Sequence, residues 1–153
     1  MVLEELLARE RFIFQLEWLL ALEHRYHHVL QSGLVHVVYD PADVHRLTLD
    51  AADTTKQLDN LLACLKKAFR STDLIAREGM SFWILTPFTE LDPVMDKVRQ
   101  VITTAPDNGL TLASTDIQFY LLRDYLNAHT VQLKEGEVFL QYLLQQPVRS
   151  VLA

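Results

Sequence analysis

The 153-residue sequence is poor in three residue types that often mark a particular kind of protein: one cysteine, four glycines and five prolines. Because Cys64 has no second cysteine to pair with, the chain forms neither an internal disulfide nor a cysteine-based zinc cage. Four glycines leave little room for a glycine-rich phosphate loop, and the sequence contains none. A reducing compartment fits this cysteine usage.

Positive charge is also scarce, since 14 basic residues stand against 20 acidic ones and the net charge is −6. Neutralising the phosphates of a nucleic acid or an anionic membrane needs a surplus of Lys and Arg. The composition therefore argues against a nucleic acid polymer as a partner. Any anionic ligand must use a local basic cluster.

Long apolar runs are missing as well. The most apolar early stretch, Phe12 to Leu22, is interrupted by Gln15 and Glu17 and is too short to span a bilayer. The N-terminus shows no secretory signal pattern. We therefore expect a cytoplasmic location without membrane insertion.

Half of the residues are apolar, and the length is that of one domain, so we expect a single core. We expect one domain over 1–153, with an N-terminal helix over 1–32 and the sheet and other helices over 33–153. Helical spacing of apolar residues predicts the first helix from Val2 to about Gln31. The β-branched run Leu34 to Tyr39 then predicts a buried strand.

Turn and capping signals divide the rest of the chain into short elements. The predicted helices are Ala42–Leu47 (one turn), Asp53 or Thr54 to Phe69, a helix opening at Asp92-Pro93, and segments near Asp116–Ala128 and Glu135–Gln146; the predicted strands are Leu74–Arg77, Phe82–Thr86 and Leu110–Ala113. This order predicts an α+β fold, an α/β sandwich in which helices cover a central sheet.

The densest basic cluster lies between the second long helix and the following strand. Lys66, Lys67, Arg70 and Arg77 surround Asp73, a local charge of +3 in a chain of net charge −6. One interpretation is that cations simply favour a helix C-terminus. The other is a guanine nucleotide site. Strand parity would place Asp73 and Arg77 on one side, with Arg70 approaching from the preceding turn. Arg binds guanine or phosphate bidentately, and Asp accepts from guanine's Watson–Crick edge.

Residues Arg70 to Pro87 resemble the centre of the GGDEF, or diguanylate cyclase, family. In that family an RxxD motif, the inhibitory or I-site, stands five residues before the signature hairpin. Arg70-Ser71-Thr72-Asp73 stands in this register before Gly79-Met80-Ser81-Phe82-Trp83. The resemblance implies a bacterial protein with a GGDEF/nucleotidyl-cyclase-like, mostly antiparallel central sheet covered by helices, and a long N-terminal helix. Outside this segment the resemblance is one of pattern only.

The sequence departs from the family at the catalytic positions. Family cyclases condense two GTP molecules with divalent metal, held by an Asp after the first strand and an acid in the hairpin. Asp40 matches the first position, but Gly79-Met80-Ser81-Phe82-Trp83 lacks both hairpin acids. Because metal positioning carries most of phosphoryl transfer, we expect no cyclase activity, no catalytic residue, no metal site and no cofactor.

What the resemblance leaves is the I-site. It implies that Arg70 and Asp73 contact a guanine base and a phosphate of cyclic di-GMP, with Arg77 as a supporting cation. The family often completes this site from a second protomer or a neighbouring helix, which makes Arg99 a candidate. The simpler interpretations are a surface ion pair for Arg70 and Asp73, worth at most about 1 kcal/mol, and a solvated Arg99.

Three hypotheses follow from these residues. The first is a non-catalytic cyclic di-GMP receptor that signals through a protein partner or a homodimer. The second is a ligand-independent dimerisation or protein-interaction module, favoured by the aromatic residues Phe12, Phe14, Trp18 and Tyr26 on the first helix. The third is residual cyclase activity with unusual metal ligands. His24, His27 and His28 are interpreted as a solvated or subunit-facing patch rather than as metal ligands.

Overall fold

The computed structural model describes residues 3–26, 32–39, 51–104, 115–125 and 135–145. The elements are α1 (Leu3–Tyr26), β1 (Gly33–Tyr39), α2 (Ala51–Ala68), β2 (Leu74–Glu78), β3 (Ser81–Thr86), α3 (Leu91–Thr104), β4 (Thr115–Leu121), a 3-10 turn (Leu122–Tyr125) and α4 (Gly136–Leu144). The described strands form an antiparallel sheet in the order β2-β3-β1-β4. β2 is therefore an edge strand.

Helices cover both faces of this sheet, which confirms the predicted α+β sandwich. One face packs against α2 and α3, and the other packs against α1 and α4. The neighbouring residues Phe82 and Trp83 show the alternation, because side chains of a strand point to opposite faces in turn. Both are almost fully buried, Phe82 among α2 and α3 and Trp83 among α1 and α4.

The β2–β3 hairpin forms where the sequence predicts it. Glu78 pairs with Ser81, so the loop has two residues, Gly79 and Met80. Gly79 adopts φ +60°, the left-handed value that a type II′ hairpin needs at its first loop position and that glycine tolerates best. The Ser81 hydroxyl donates to the Glu78 carbonyl at 2.8 Å and closes the turn.

The helix predicted near Asp116–Ala128 is wrong over its first part, because Thr115–Leu121 is a strand. It pairs antiparallel with β1 along its whole length. Ile117 and Phe119 face α2 and α3, whereas Tyr120 faces α1 and α4. These apolar positions satisfy both a helical and an alternating pattern, and pairing with β1 selects the strand.

Some sequence predictions lie outside the described residues. They are the helical turn Ala42–Leu47, the strand Leu110–Ala113, and the side chains of Asp40, His27 and His28. Among the helices that the structure describes, none has the length and apolar composition needed to cross a bilayer.

Candidate functional site

The turn between α2 and β2 carries the two central site candidates, Arg70 and Asp73. Two hydrogen bonds close it: the Asp73 N–H donates to the Arg70 carbonyl at 3.0 Å, and the Arg70 N–H donates to Asp73 Oδ2 at 2.9 Å. Buried Phe69 anchors the start of the turn in the core between α2 and the sheet. The carboxylate thus holds the backbone in place, as short polar side chains often do beside helix ends.

Asp73 is nearly buried, with a side-chain exposure of 2%. Its second oxygen, Oδ1, has no hydrogen-bond donor among the described residues. A buried acceptor without a partner costs about 1–3 kcal/mol, and more when it is charged. Because this oxygen is also closed to solvent, a ligand N–H group can recover that free energy only if the Asp73 side chain turns toward the cleft.

The guanidinium of Arg70 is the exposed member of the pair, at 58%. Its Nη2 donates to Thr89 Oγ1 at 2.6 Å, and its Nε lies 3.9 Å from Asp73 Oδ2. The predicted pairing of Arg70 with Asp73 is therefore present, but the side chain also reaches across to the connection between β3 and α3. Because a guanidinium has five N–H donors, it keeps donors for an anion.

Two clefts meet at Arg70. The first, here called the basic cleft, has a volume of about 390 Å³ and is lined by Ala8, Arg11, Lys66, Phe69, Arg70, Ser71, Asp73, Leu74 and Ile75. The second, the loop cleft, has a volume of about 500 Å³ and is lined by Gln15, Arg70, Ser71, Thr72, Leu74, Pro87 and Phe88. Both fall within the size range of small-molecule sites.

The basic cleft collects positive charge in an acidic protein. Arg11, Lys66 and Arg70 line it together with the single carboxylate of Asp73. Arg11 comes from α1, and no local motif in the sequence links it with this site. Ala8, Arg11 and Gln15 share one helical face by their spacing, but only the packing of α1 beside β2 places that face next to Arg70.

Arg77 does not join this cluster, so the predicted convergence of two guanidinium groups on Asp73 is wrong. Its Nη1 lies 2.6 Å from Asp59 Oδ1 on α2 and 3.6 Å from Glu5 Oε1 on α1. The parity argument failed because β2 begins at Leu74, which leaves Asp73 in the turn. Asp73 and Arg77 are four residues apart, and four residues of extended chain span about 13 Å. Arg77 is therefore too far along the chain to sit beside Asp73.

We expect the Arg77→Ala variant to lose stability without losing a ligand that binds at Arg70. Arg77 is only 10% exposed and ties α1 and α2 to β2, so its removal should lower the free energy of unfolding by about 1 kcal/mol. Urea unfolding measures this loss. Arg99→Ala is the matched control and should leave the unfolding curve unchanged.

Arg99 lies on α3 and is paired with a neighbour on its own helix. Its Nη1 is 3.8 Å from Asp96 Oδ1, and its side chain is 47% exposed. It is not among the residues that line the basic cleft or the loop cleft. Within one protomer, this geometry matches the simpler interpretation that Arg99 is a solvated surface arginine.

The hairpin offers a poor set of metal ligands. Met80 packs against the core formed by α2 and α3, the Ser81 hydroxyl is bonded to the Glu78 carbonyl, and Phe82 and Trp83 are buried. The nearby Glu78 carboxylate pairs with Arg9 at 3.0 Å. The part of the chain that the structure describes contains no group of three His, Cys, Asp or Glu side chains with metal-binding geometry. The residues of the hairpin therefore do not fit a divalent ion held by this turn.

No family model and no curated protein matches this sequence. Solved structures do match. The GGDEF domain of YfiN (also TpbB) from Pseudomonas aeruginosa has a TM-score of 0.62 and 20% identity, covering 87% of this chain and 82% of its own. The diguanylate cyclase SiaD from the same organism, solved with its activator SiaC, has a TM-score of 0.54 and 18% identity over 84% of this chain and 53% of its own. The chain thus has a GGDEF-like fold.

Proposed function

We propose that this protein is a non-catalytic receptor for cyclic di-GMP, which binds at the Arg70–Asp73 turn and the basic cleft. The observation that carries the proposal is the exposed guanidinium of Arg70, which lines two clefts, one of them with two further cations. Arg70 suits phosphate or the guanine O6 and N7 acceptors, and Asp73, once its side chain turns toward the basic cleft that it lines, suits the N–H groups of guanine. A guanine nucleotide offers both kinds of partner.

The charge of the cleft supports a small anion. Arg11 and Lys66 add two cations to Arg70 within one cleft, while the chain as a whole has a net charge of −6. A polyanion would meet the acidic remainder of the surface, whereas a dinucleotide contacts only the cleft. The GGDEF-like fold supports this choice of nucleotide, because SiaD, a solved protein with a similar fold, is a diguanylate cyclase.

The proposal that the protein lacks catalytic activity rests on the hairpin sequence. Gly79-Met80-Ser81-Phe82-Trp83 supplies no carboxylate, and its one hydroxyl already donates to a backbone carbonyl. Charge neutralisation by divalent metal is the main source of rate in phosphoryl transfer. We therefore expect no cyclic di-GMP from GTP and Mg²⁺, and product formation would support the alternative of residual cyclase activity.

Binding couples elements that are far apart in the sequence. The basic cleft has one wall from α1 and the other from α2 and the start of β2. A nucleotide seated there contacts both walls, so it stabilises their present arrangement by mass action. Calorimetric titration with cyclic di-GMP tests the proposal: a saturable heat supports it, and no heat at protein concentrations well above a micromolar dissociation constant contradicts it.

A second candidate, a dimerisation module, is favoured by the outer face of α1. Leu3, Leu7, Phe14 and Trp18 are 67%, 50%, 70% and 48% exposed. Their spacing places them along one side of the helix. A stripe of this kind is typical of helices that pair with a second copy.

Replacing Phe14 with glutamate separates this candidate from the receptor. If the stripe joins two copies, the Phe14→Glu variant should sediment as a monomer at concentrations where the wild type is a dimer, because a buried charge opposes association. Analytical ultracentrifugation measures this, with Val138→Glu, on the exposed face of α4, as the control. A wild-type dimer that is indifferent to cyclic di-GMP would favour the module over the receptor.

A further inference from the structure

Phe88 is an exposed aromatic residue held in an unfavourable backbone conformation. Its φ is +54°, which lies in the left-handed region, and the residue is 55% exposed to solvent. It lines the loop cleft beside Arg70. Bulky residues rarely adopt this conformation because Cβ crowds the following carbonyl, and here no burial of the ring offsets the cost.

The surrounding hydrogen bonds fix the backbone of this residue. The Phe88 N–H donates to the hydroxyl of buried Ser32 at 3.2 Å. Thr89 Oγ1 donates to the Pro87 carbonyl at 2.9 Å and accepts from Arg70 Nη2. The strained loop therefore holds the ring on one side of the cleft and helps to hold the Arg70 guanidinium. Strain that persists under such constraints commonly marks a functional position.

We propose that Phe88 is a stacking platform for a purine base of the nucleotide that binds at Arg70. This inference rests on the proposed function and adds a residue and a location for the base. An aromatic ring and a base stack through their faces, and a flat, exposed ring in a cleft wall is the geometry that stacking needs. The loop cleft is the larger of the two clefts at Arg70, and Arg70 is the one arginine among the residues that line it.

The two clefts divide the chemistry of a nucleotide between them. The loop cleft offers the Phe88 ring and the polar side chains of Gln15 and Thr72, which suit the face and the edge of a base. The basic cleft offers Arg11 and Lys66, which suit phosphate, and Asp73, to which the proposed function assigns a guanine. Cyclic di-GMP has two guanines, so one can reach Asp73 while the other stacks on Phe88. Arg70 lines both clefts and stands where base and phosphate join. A ligand with a purine and a phosphate in adjacent positions therefore uses both.

Calorimetric titration of wild type and variants with cyclic di-GMP tests the inference. Removal of one base-stacking ring costs about 5- to 150-fold in affinity, so Phe88→Ala should weaken binding within this range. Phe88→Trp should retain the affinity, and its indole fluorescence should be quenched on saturation. Tyr26→Ala removes an aromatic residue that is 49% exposed and lines neither cleft, so it should bind like the wild type.

The Phe88→Gly variant gives a readout that a structural role would not produce. Glycine adopts positive φ freely, so the unfolding midpoint should stay level or rise while the affinity falls as in Phe88→Ala. Equal affinities for wild type, Phe88→Ala and Phe88→Gly would overturn the stacking role and leave the proposed function standing. A loss of self-association in Phe88→Ala at unchanged nucleotide affinity would assign the ring to a protein contact and overturn the inference. A wild type that binds no cyclic di-GMP overturns the proposed function itself.

Discussion

Replacing Arg70 with alanine is expected to weaken cyclic di-GMP binding by roughly 100-fold, the value of a good bidentate arginine contact. Arg70 lines both clefts and is the exposed member of its pair with Asp73. Its loss therefore removes contacts to both ends of the ligand. Calorimetry or competition with a fluorescent analogue measures the change in dissociation constant.

Two further variants give this prediction its controls. Arg70→Lys keeps the charge but loses the planar fork, so we expect a loss between those of the wild type and the alanine variant. Arg99→Ala removes an arginine of similar exposure that lines neither cleft, and its affinity should equal that of the wild type. An Arg70→Ala affinity within twofold of the wild-type value would place the ligand elsewhere. Because the side chain is exposed, the fold should keep its stability within about 0.5 kcal/mol.

Replacing Asp73 with alanine should reduce both stability and binding. The Arg70 N–H loses its 2.9 Å acceptor, which costs about 1–3 kcal/mol, and removal of the unpartnered Oδ1 offsets part of this, so we expect a net loss of about 1 kcal/mol in the free energy of unfolding. The ligand loses the oxygen that would accept from guanine. Urea unfolding and nucleotide titration of the same preparation measure the two losses.

The Asp73→Asn variant separates these two effects. The amide oxygen can still accept from the Arg70 N–H, so the free energy of unfolding should stay within about 1 kcal/mol of the wild-type value. The amide nitrogen would stand where Oδ1 now lies, and a donor there opposes the N–H groups of guanine. Affinity should fall by about 10-fold or more. Wild-type affinity for Asp73→Asn would show that this carboxylate serves only the turn.

The sequence predicts the central part of the fold well because local signals agree with tertiary ones there. β1 is rich in β-branched residues, and Gly79 supplies the conformation that the β2–β3 loop needs. The sequence of β4 predicts a helix because its apolar residues fit a helix as well as a strand, and its identity depends on pairing with β1. Propensity is a weak guide wherever a distant strand decides the structure.

The site was predictable only in part for the same reason. Arg70 and Asp73 lie three residues apart, so their association follows from a local turn. Arg11 comes from a helix that begins the chain, and Phe88 from the connection after β3, and only packing brings them to Arg70. Strand parity predicts Arg77 in the cluster, but its side chain instead pairs with Asp59 on α2.

Amide chemical shifts recorded while isotope-labelled protein is titrated with cyclic di-GMP locate the nucleotide most directly. We predict that the largest changes fall on Arg70 to Leu74, on Phe88 and Thr89, and on α1 around Arg11. The amides of Arg99 and of α4 should stay near their starting positions. An absence of saturable changes would contradict the receptor role, and changes confined to residues far from Arg70 would contradict the site.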